Sequence, residues 1–397
     1  PYLQIEVDEH SSSVGVVTRL EAFVESVKRY SHKEPKEKSK LENKELKKLL
    51  IPYLYPYSSL VSAYFKGKNI DVQELPKTSD ESLSIGRSFS TSKEYLSNLC
   101  LLGDAFHSIE NNIAEFGHFF VPQSEGAETF GQYSQLLKTK LSSKEKNNFS
   151  VENPFIEDMF SNSNYGYPFF KVLALGDLIM NAKPEYRDEI LSKYKKNLEK
   201  DEVSEKSLIE LAKEIKNKLA LEKFDKSFYA LGEFLTVFNE KLNNYSLKTL
   251  EKNNRVMYMP LSELLYFKKI DFLNKENDLH KEYSKNLQKS KKLIEVLHRT
   301  LEEFSPFEEN IINFIKNSDK FLNLYAGGSG RYRIHKQNSI KNVDGIILVN
   351  SMYENTGTIL KILANEENQN IPILNLEFDG SKHGSSQEKL ENFIYCL

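Results

Sequence analysis

Apolar residues follow two rhythms along this chain. Short runs appear at LLIPYLYP (Leu49–Pro56), IDVQELP (Ile70–Pro76), HFFVP (His118–Pro122), Phe228–Leu231, Arg255–Met259, Gly345–Val349 and Ile371–Phe378. Runs of this length, bounded by Pro, Gly and polar residues, read as buried strands. Between them the spacing turns helical. YSSLVSAYFKGK is a short helix closed by Gly67, and Ser79 with Asp80 offers an N-cap to the next piece. A further helix follows Ser92 through Leu101–Ile109, and others cover Phe130–Leu141 and Phe169–Met180. Tyr186, Ile190, Tyr194 and Leu198, then Leu208, Leu211, Ile215 and Leu219, recur at helical spacing with charges on the other faces. Asp271–Lys316 is charged and helical, with Leu293, Leu297 and Leu301 on one face; Lys144–Asn153 reads as a polar loop.

Strands alternating with helices predict parallel sheets covered by helices. The expected architecture is α/β: two Rossmann/flavodoxin-like parallel-sheet lobes joined by helical segments. The boundaries are 31–48 for a charged linker, 49–182 for the first lobe, 183–227 for a helical connector, and 228–397 for the second lobe with a helical insertion at 271–320. Residues 1–30 read as the end unit of a preceding α/β domain. That reading rests on a repeat, since PYLQIEVDEHSSSVGVVTRLEAFVESV (Pro1–Val27) matches PILNLEFDGSKHGSSQEKLENFIYCL (Pro372–Leu397) with one gap. The sequence is therefore expected to be the C-terminal part of a longer protein, with Leu3, Ile5 and Val7 alternating as in a half-buried strand. Ligands of such sheets sit beyond the carboxyl ends of the strands, which directs attention to the loops Asn350–Gly357 and Asp379–Ser386.

Composition narrows the function classes. In 397 residues, Lys+Arg (54) nearly balances Asp+Glu (57), so no basic field is present to hold nucleic acid or an anionic membrane. No apolar run approaches the ~18 residues of a membrane span. Nothing at the N-terminus resembles a signal peptide, and the expected location is cytoplasmic. Two cysteines allow neither a disulfide framework nor a Cys-ligated iron–sulfur cluster from this chain alone.

Individual constellations are sparse. GGSG at Gly327–Gly330 suggests an anion nest, with Gly328, Gly330, Arg331 and Arg333 as possible phosphate contacts, but it lacks the spacing of a phosphate-binding fingerprint. A plain turn and solvated arginines are the default reading. The eight histidines show no metal-ligand spacing; His10, between strand-end acids, is the most suggestive and still reads as a surface residue. Cys100 lies on an apolar helical face and reads as core packing.

In order along nearly the whole chain, PYLQIEVDEHSSSVGVVTRLEAF, STSKEYLSNLCLLGD, EGAETFGQY, LGEFLTVFNEKLNN, MPLSELLY, VDGIILVNSMYENTGTI and IPILNLEFDG resemble the C-terminal, dehydratase-like region of large CoA-substrate-specific enzyme activases of the 2-hydroxyacyl-CoA dehydratase family. The resemblance implies α/β domains that cooperate with an ATPase activator module. It also implies a 4Fe–4S cluster held by cysteines. The family has a cysteine after the Glu of a T-x-x-E-C-x-P-like turn, where this chain has Tyr95. It has another in a G-P-C-R-F-G-Q-Y-like segment, where Glu128 stands, and a third in a D-G-I-x-x-V-x-P-F-x-C-M-P-like strand end, where Glu354 stands. Neither Cys100 nor Cys396 falls on a ligand position.

Tyr and Glu are hard oxygen donors, whereas such clusters take thiolates. The leading expectation is a cluster-less paralogue with no cofactor of its own. It would dock with an ATPase activator module, in the same polypeptide or a separate chain, or with a dehydratase subunit. Under it, replacing Glu128 or Glu354 by Ala leaves stability nearly unchanged or improves it. One alternative is an active dehydratase or activase component whose cluster comes from other residues or a partner. The other is a divalent-metal site built from Glu128 and Glu354, with Tyr95 as a further oxygen donor.

Overall fold

The computed structural model describes residues 17, 20–25, 27, 48–90, 94–124, 130–161, 165–200, 202–275, 285–318, 329–366, 371–381 and 385–397. The chain forms two units, Pro1–Leu46 and Lys47–Leu397. In the first, Val17, 20–25 and Val27 are helical, which is the helix half of the expected strand–loop–helix. Its expected strand half, His10 and nearly all of the expected linker lie outside the described residues.

The second unit is α/β and contains two four-stranded sheets, both wholly parallel. The first comprises β1 (Leu49–Ile51), β2 (Val72–Glu74), β3 (Gly117–Phe120) and β4 (Phe149–Glu152) in the order β2-β1-β3-β4. The second comprises β5 (Ser227–Gly232), β6 (Arg255–Tyr258), β7 (Gly345–Ser351) and β8 (Ile373–Phe378) in the order β6-β5-β7-β8. In each sheet the chain leaves the first strand for one side and returns to the other. The crevice where the order reverses lies between β1 and β3, and again between β5 and β7. Registers such as Leu49↔Val72, Phe119↔Val151, Phe228↔Gly345 and Ile346↔Ile373 bring the carboxyl ends of neighbouring strands level.

The strand β4 corrects the loop expected at Lys144–Asn153. Only Val151 of its residues is buried, because β4 is an edge strand with one apolar position facing the core, too little to register as an apolar run.

Helices of the first lobe are α1 (Tyr57–Gly67), α2 (Asp80–Ser88), α3 (Leu96–Glu110) and α4 (Phe130–Ser143). Ser79 caps α2 as its sequence suggests. Its hydroxyl accepts from Ser82 N at 3.0 Å while the Ser82 hydroxyl accepts from Ser79 N, a reciprocal capping box. Helices α2 and α3 cross with backbones almost touching: a Cβ on Gly86 would lie 2.1 Å from Leu99 O, and one on Gly103 2.0 Å from Ser82 O. Leu50, Leu102, Phe106, Phe119 and Leu137 fill the space between these helices and the sheet.

Helices α5 (Gly166–Met180), α6 (Pro184–Leu198) and α7 (Glu205–Ala220) follow β4. Helix α5 is apolar nearly all round and is accordingly buried on most of its surface. It carries Asp177, which joins the two lobes. Tyr57 Oη donates to Asp177 at 2.7 Å, Leu261 N at 2.6 Å and Ser262 N at 3.0 Å, and the Ser262 hydroxyl donates as well. The two backbone donors are the first N–H groups of a second-lobe helix, which the carboxylate therefore caps.

After the short helices α8 (Phe234–Val237) and α9 (Ser246–Leu250), the second lobe continues with α10 (Leu261–Lys275), α11 (Lys285–Leu301), α12 (Ile311–Asn317), α13 (Gly330–Ser339), α14 (Asn355–Glu366) and α15 (Ser386–Cys396). All of β7 is buried, as its unbroken apolar run predicts. Helix α13 departs from expectation. Its sequence, GRYRIHKQNS, is strongly polar, yet Arg331, Tyr332, Arg333 and Lys336 are almost wholly enclosed. Carboxylates from neighbouring elements account for this: Lys336 Nζ lies 2.8 Å from both Glu263 and Glu308, and Tyr332 Oη donates to Glu263 at 2.9 Å.

Candidate functional site

Glu233 directly follows β5, and its N–H donates to Val349 O of β7 at 3.0 Å. The side chain therefore stands at the carboxyl end of the sheet, at the reversal of strand order. Its buried carboxylate accepts from Thr236 Oγ1 at 2.9 Å, from Ser351 N at 3.3 Å and from the Ser351 hydroxyl. From the first lobe, Tyr133 Oη of α4 donates to it at 3.2 Å. Ser97 Oγ of α3 lies 3.4 Å from both Thr236 Oγ1 and Ser351 Oγ. Hydroxyls of both lobes thus converge on one buried carboxylate, and burial makes each of these hydrogen bonds costly to break.

One turn further along α3 stands Cys100. Its sulfur lies 3.2 Å from Thr78 Oγ1 and 3.4 Å from Asp104 Oδ2; Asn239 Nδ2 of the second lobe approaches it at 3.6 Å and donates to Thr78 Oγ1 at 2.8 Å. Burial, then the negative charge of Asp104, pushes the thiol well above its usual range. It is a protonated thiol at neutral pH, neither nucleophile nor thiolate ligand. The sequence places Cys100 in the interior correctly but gives it apolar company; its neighbours are polar.

Tyr95 and Glu354, far apart in sequence, come together beside this group. Tyr95 sits at the N-terminus of α3 and Glu354 at the N-terminus of α14. Burial, and next the negative charge of Glu354, raises the phenol's pKa, while a hydrogen bond from the Asn355 N–H lowers it. Glu354 accepts from Gly357 N at 2.7 Å, satisfying a helix-end donor. Its carboxylate is clamped by both nitrogens of the Arg333 fork, Nη1 lying 3.2 Å from Oε2, and the same Nη1 donates to Asn350 Oδ1 at 3.1 Å. Glu128 and Gly328 lie outside the described residues.

The arginines expected on a solvated surface are interior residues. Arg331 pairs with Asp271 and donates to Ser318 Oγ at 2.7 Å, whereas Arg333 belongs to the site through Glu354. Gly330 opens α13. Both guanidinium groups are engaged with protein carboxylates, so the geometry gives no support to an anion nest there.

A cavity of about 10 Å³ lies between Tyr133, Glu233, Ser329, Arg333 and Glu354, space for about one water molecule. Next to it, sharing Phe130, Tyr133, Phe234 and Leu235, is an apolar cavity of about 200 Å³. The described donors do not fit an iron–sulfur cluster. Tyr95 and Glu354 present oxygen, Glu354 is held by a cation, Cys100 is protonated, and Cys396 is exposed in the last helix. Among the described residues no three His, Cys, Asp or Glu side chains are grouped to hold a metal ion.

The sequence reading missed Glu233, Thr236 and Ser97. A signal for Glu233 was present, since it immediately follows the Phe228–Leu231 run at a strand's carboxyl end. Asn350 and Ser351 fall in the stretch Asn350–Gly357 singled out from the sequence as a loop, though they are the last residues of β7. No helix among the described residues is long and apolar enough to cross a membrane. Compared with known proteins, the chain matches no protein-family model and no curated protein.

Proposed function

We propose that this chain is a cluster-less, dehydratase-like module of a cytoplasmic, ATP-driven electron-transfer system. It keeps the two-lobed α/β architecture, has lost the redox chemistry, and serves as a structural or docking partner of an ATPase activator module or a dehydratase subunit. The observation that carries this reading is the state of Glu354. At a position where the resemblance implies a cluster-binding cysteine, the chain has a carboxylate clamped by Arg333 and capping a helix, with Tyr95 beside it. A buried, charge-balanced hydrogen-bond network supports a scaffold, because exchanging one member leaves an uncompensated charge. The two-lobed fold by itself does not specify an activity.

The test is iron and sulfide content of the protein after purification and reconstitution under strictly anaerobic conditions, followed by co-sedimentation with an ATPase activator. The expected result is iron near zero together with a stable complex. A stoichiometric cluster would overturn the reading in favour of an active component. Failure to bind either an activator or a dehydratase subunit would remove the docking role.

A further inference from the structure

We infer that the apolar cavity between the lobes is a binding site for an uncharged hydrocarbon-like molecule, a small aromatic or a short aliphatic chain. This rests on the cavity wall alone and is independent of the docking role.

The cavity lies beyond the carboxyl ends of β1 and β3, where Ile51 and Val121 border it, is bordered from the second lobe by Phe234 and Leu264, and stays partly open to solvent. In parallel α/β sheets this is the position at which ligands are held. Among the described residues its wall contains no Lys, Arg, His, Asp or Glu. The wall hydroxyls of Tyr57, Ser58 and Tyr133 donate to Asp177 at 2.7 Å, Glu74 at 2.8 Å and Glu233 at 3.2 Å, carboxylates set behind the wall. Tyr53 supplies the remaining hydroxyl, a phenol kept neutral because burial opposes its ionisation.

A carboxylate or phosphate entering this space would lose its hydration without gaining a counter-charge. An uncharged apolar molecule faces no such penalty and gains about 25 cal/mol for each Å² removed from water. Size narrows the class further. A dry cavity of about 150 Å³ accepts benzene, so about 200 Å³ suits one or two fused rings or roughly six to ten aliphatic carbons.

The experiment is calorimetric titration and thermal denaturation of the whole protein with toluene, naphthalene and n-octane, with benzoate as the charged counterpart of toluene. Toluene or naphthalene should bind and raise the melting temperature, with benzoate about tenfold weaker or worse. Leu235→Phe, which adds bulk at a half-buried wall position, should abolish the response while the protein remains folded. If that variant does not fold, wild-type crystals pressurised with xenon provide the second readout, with density expected inside the cavity. Absence of a response to all three hydrocarbons, together with an empty cavity under xenon, would overturn the inference. Equal binding of benzoate and toluene would overturn the uncharged class.

Discussion

Arg333 and Glu354 illustrate how a single buried pair alters an expectation drawn from sequence. Read as a vestigial ligand position, Glu354 should be dispensable. Read in place, it is the counter-ion of an enclosed guanidinium, so Glu354→Ala should cost about 3–5 kcal/mol in chemical denaturation, by removing the carboxylate that clamps the buried cation. Replacing both partners together, Arg333→Met with Glu354→Leu, should recover most of that loss; if the double variant is as unstable as the single one, the pair is not the cause. Asp177 gives a second prediction. Burial raises its pKa to about 7, against an ordinary value of 3.8, even though its four hydrogen-bond donors favour the anion. Between about pH 4 and 7 the folded chain therefore holds a proton that the unfolded chain has released, so this residue's contribution to stability falls as pH rises through that window. Asp104, also raised by burial, contributes in the same direction. Asp177→Asn should give a flatter profile of unfolding free energy against pH over that range, and an unchanged slope would contradict the assignment. None of this was visible in the sequence, because Asp177 and Arg333 acquire their character from residues brought to them only by folding.

At the level of elements, most of what formed could be read in advance. The Ser79 cap, the four-residue spacing of Tyr186, Ile190, Tyr194 and Leu198, and the continuous run of β7 each carry a local signal, and each produced the expected element. Two did not. Strand β4 is an edge strand with one buried residue, and α13 owes its burial to carboxylates on other elements, so its polar sequence misleads. The contact of α2 with α3 is the junction that holds Tyr95, Ser97 and Cys100 in position. Gly103→Ala should destabilise by about 1–3 kcal/mol or more, since the new methyl meets a backbone oxygen that cannot move aside. Ser79→Ala, which removes only a cap, should cost about 1 kcal/mol. Thermal melts of the two variants check the order, and a Gly103→Ala protein as stable as Ser79→Ala would show that the helices can separate without cost.

On the scale of the second unit, the two sheets share one strand order, and their carboxyl ends supply both the polar network around Glu233 and the apolar cavity beside it. The two-lobed parallel architecture follows from strand–helix alternation and was legible. That the two ends share buried hydroxyls was not, because Ser97, Thr236 and Ser351 are ordinary polar residues in sequence and become a group only across the lobes. The burial of α13 also bears on the order of synthesis. Arg331 pairs with Asp271, which precedes it in the chain, but Arg333 pairs with Glu354, which is made later. A nascent chain ending between residues 333 and 354 lacks the Glu354 carboxylate that clamps this guanidinium in the folded protein. The clamp between α13 and the start of α14 can therefore form only once residue 354 has been made, after every strand of the second sheet but β8.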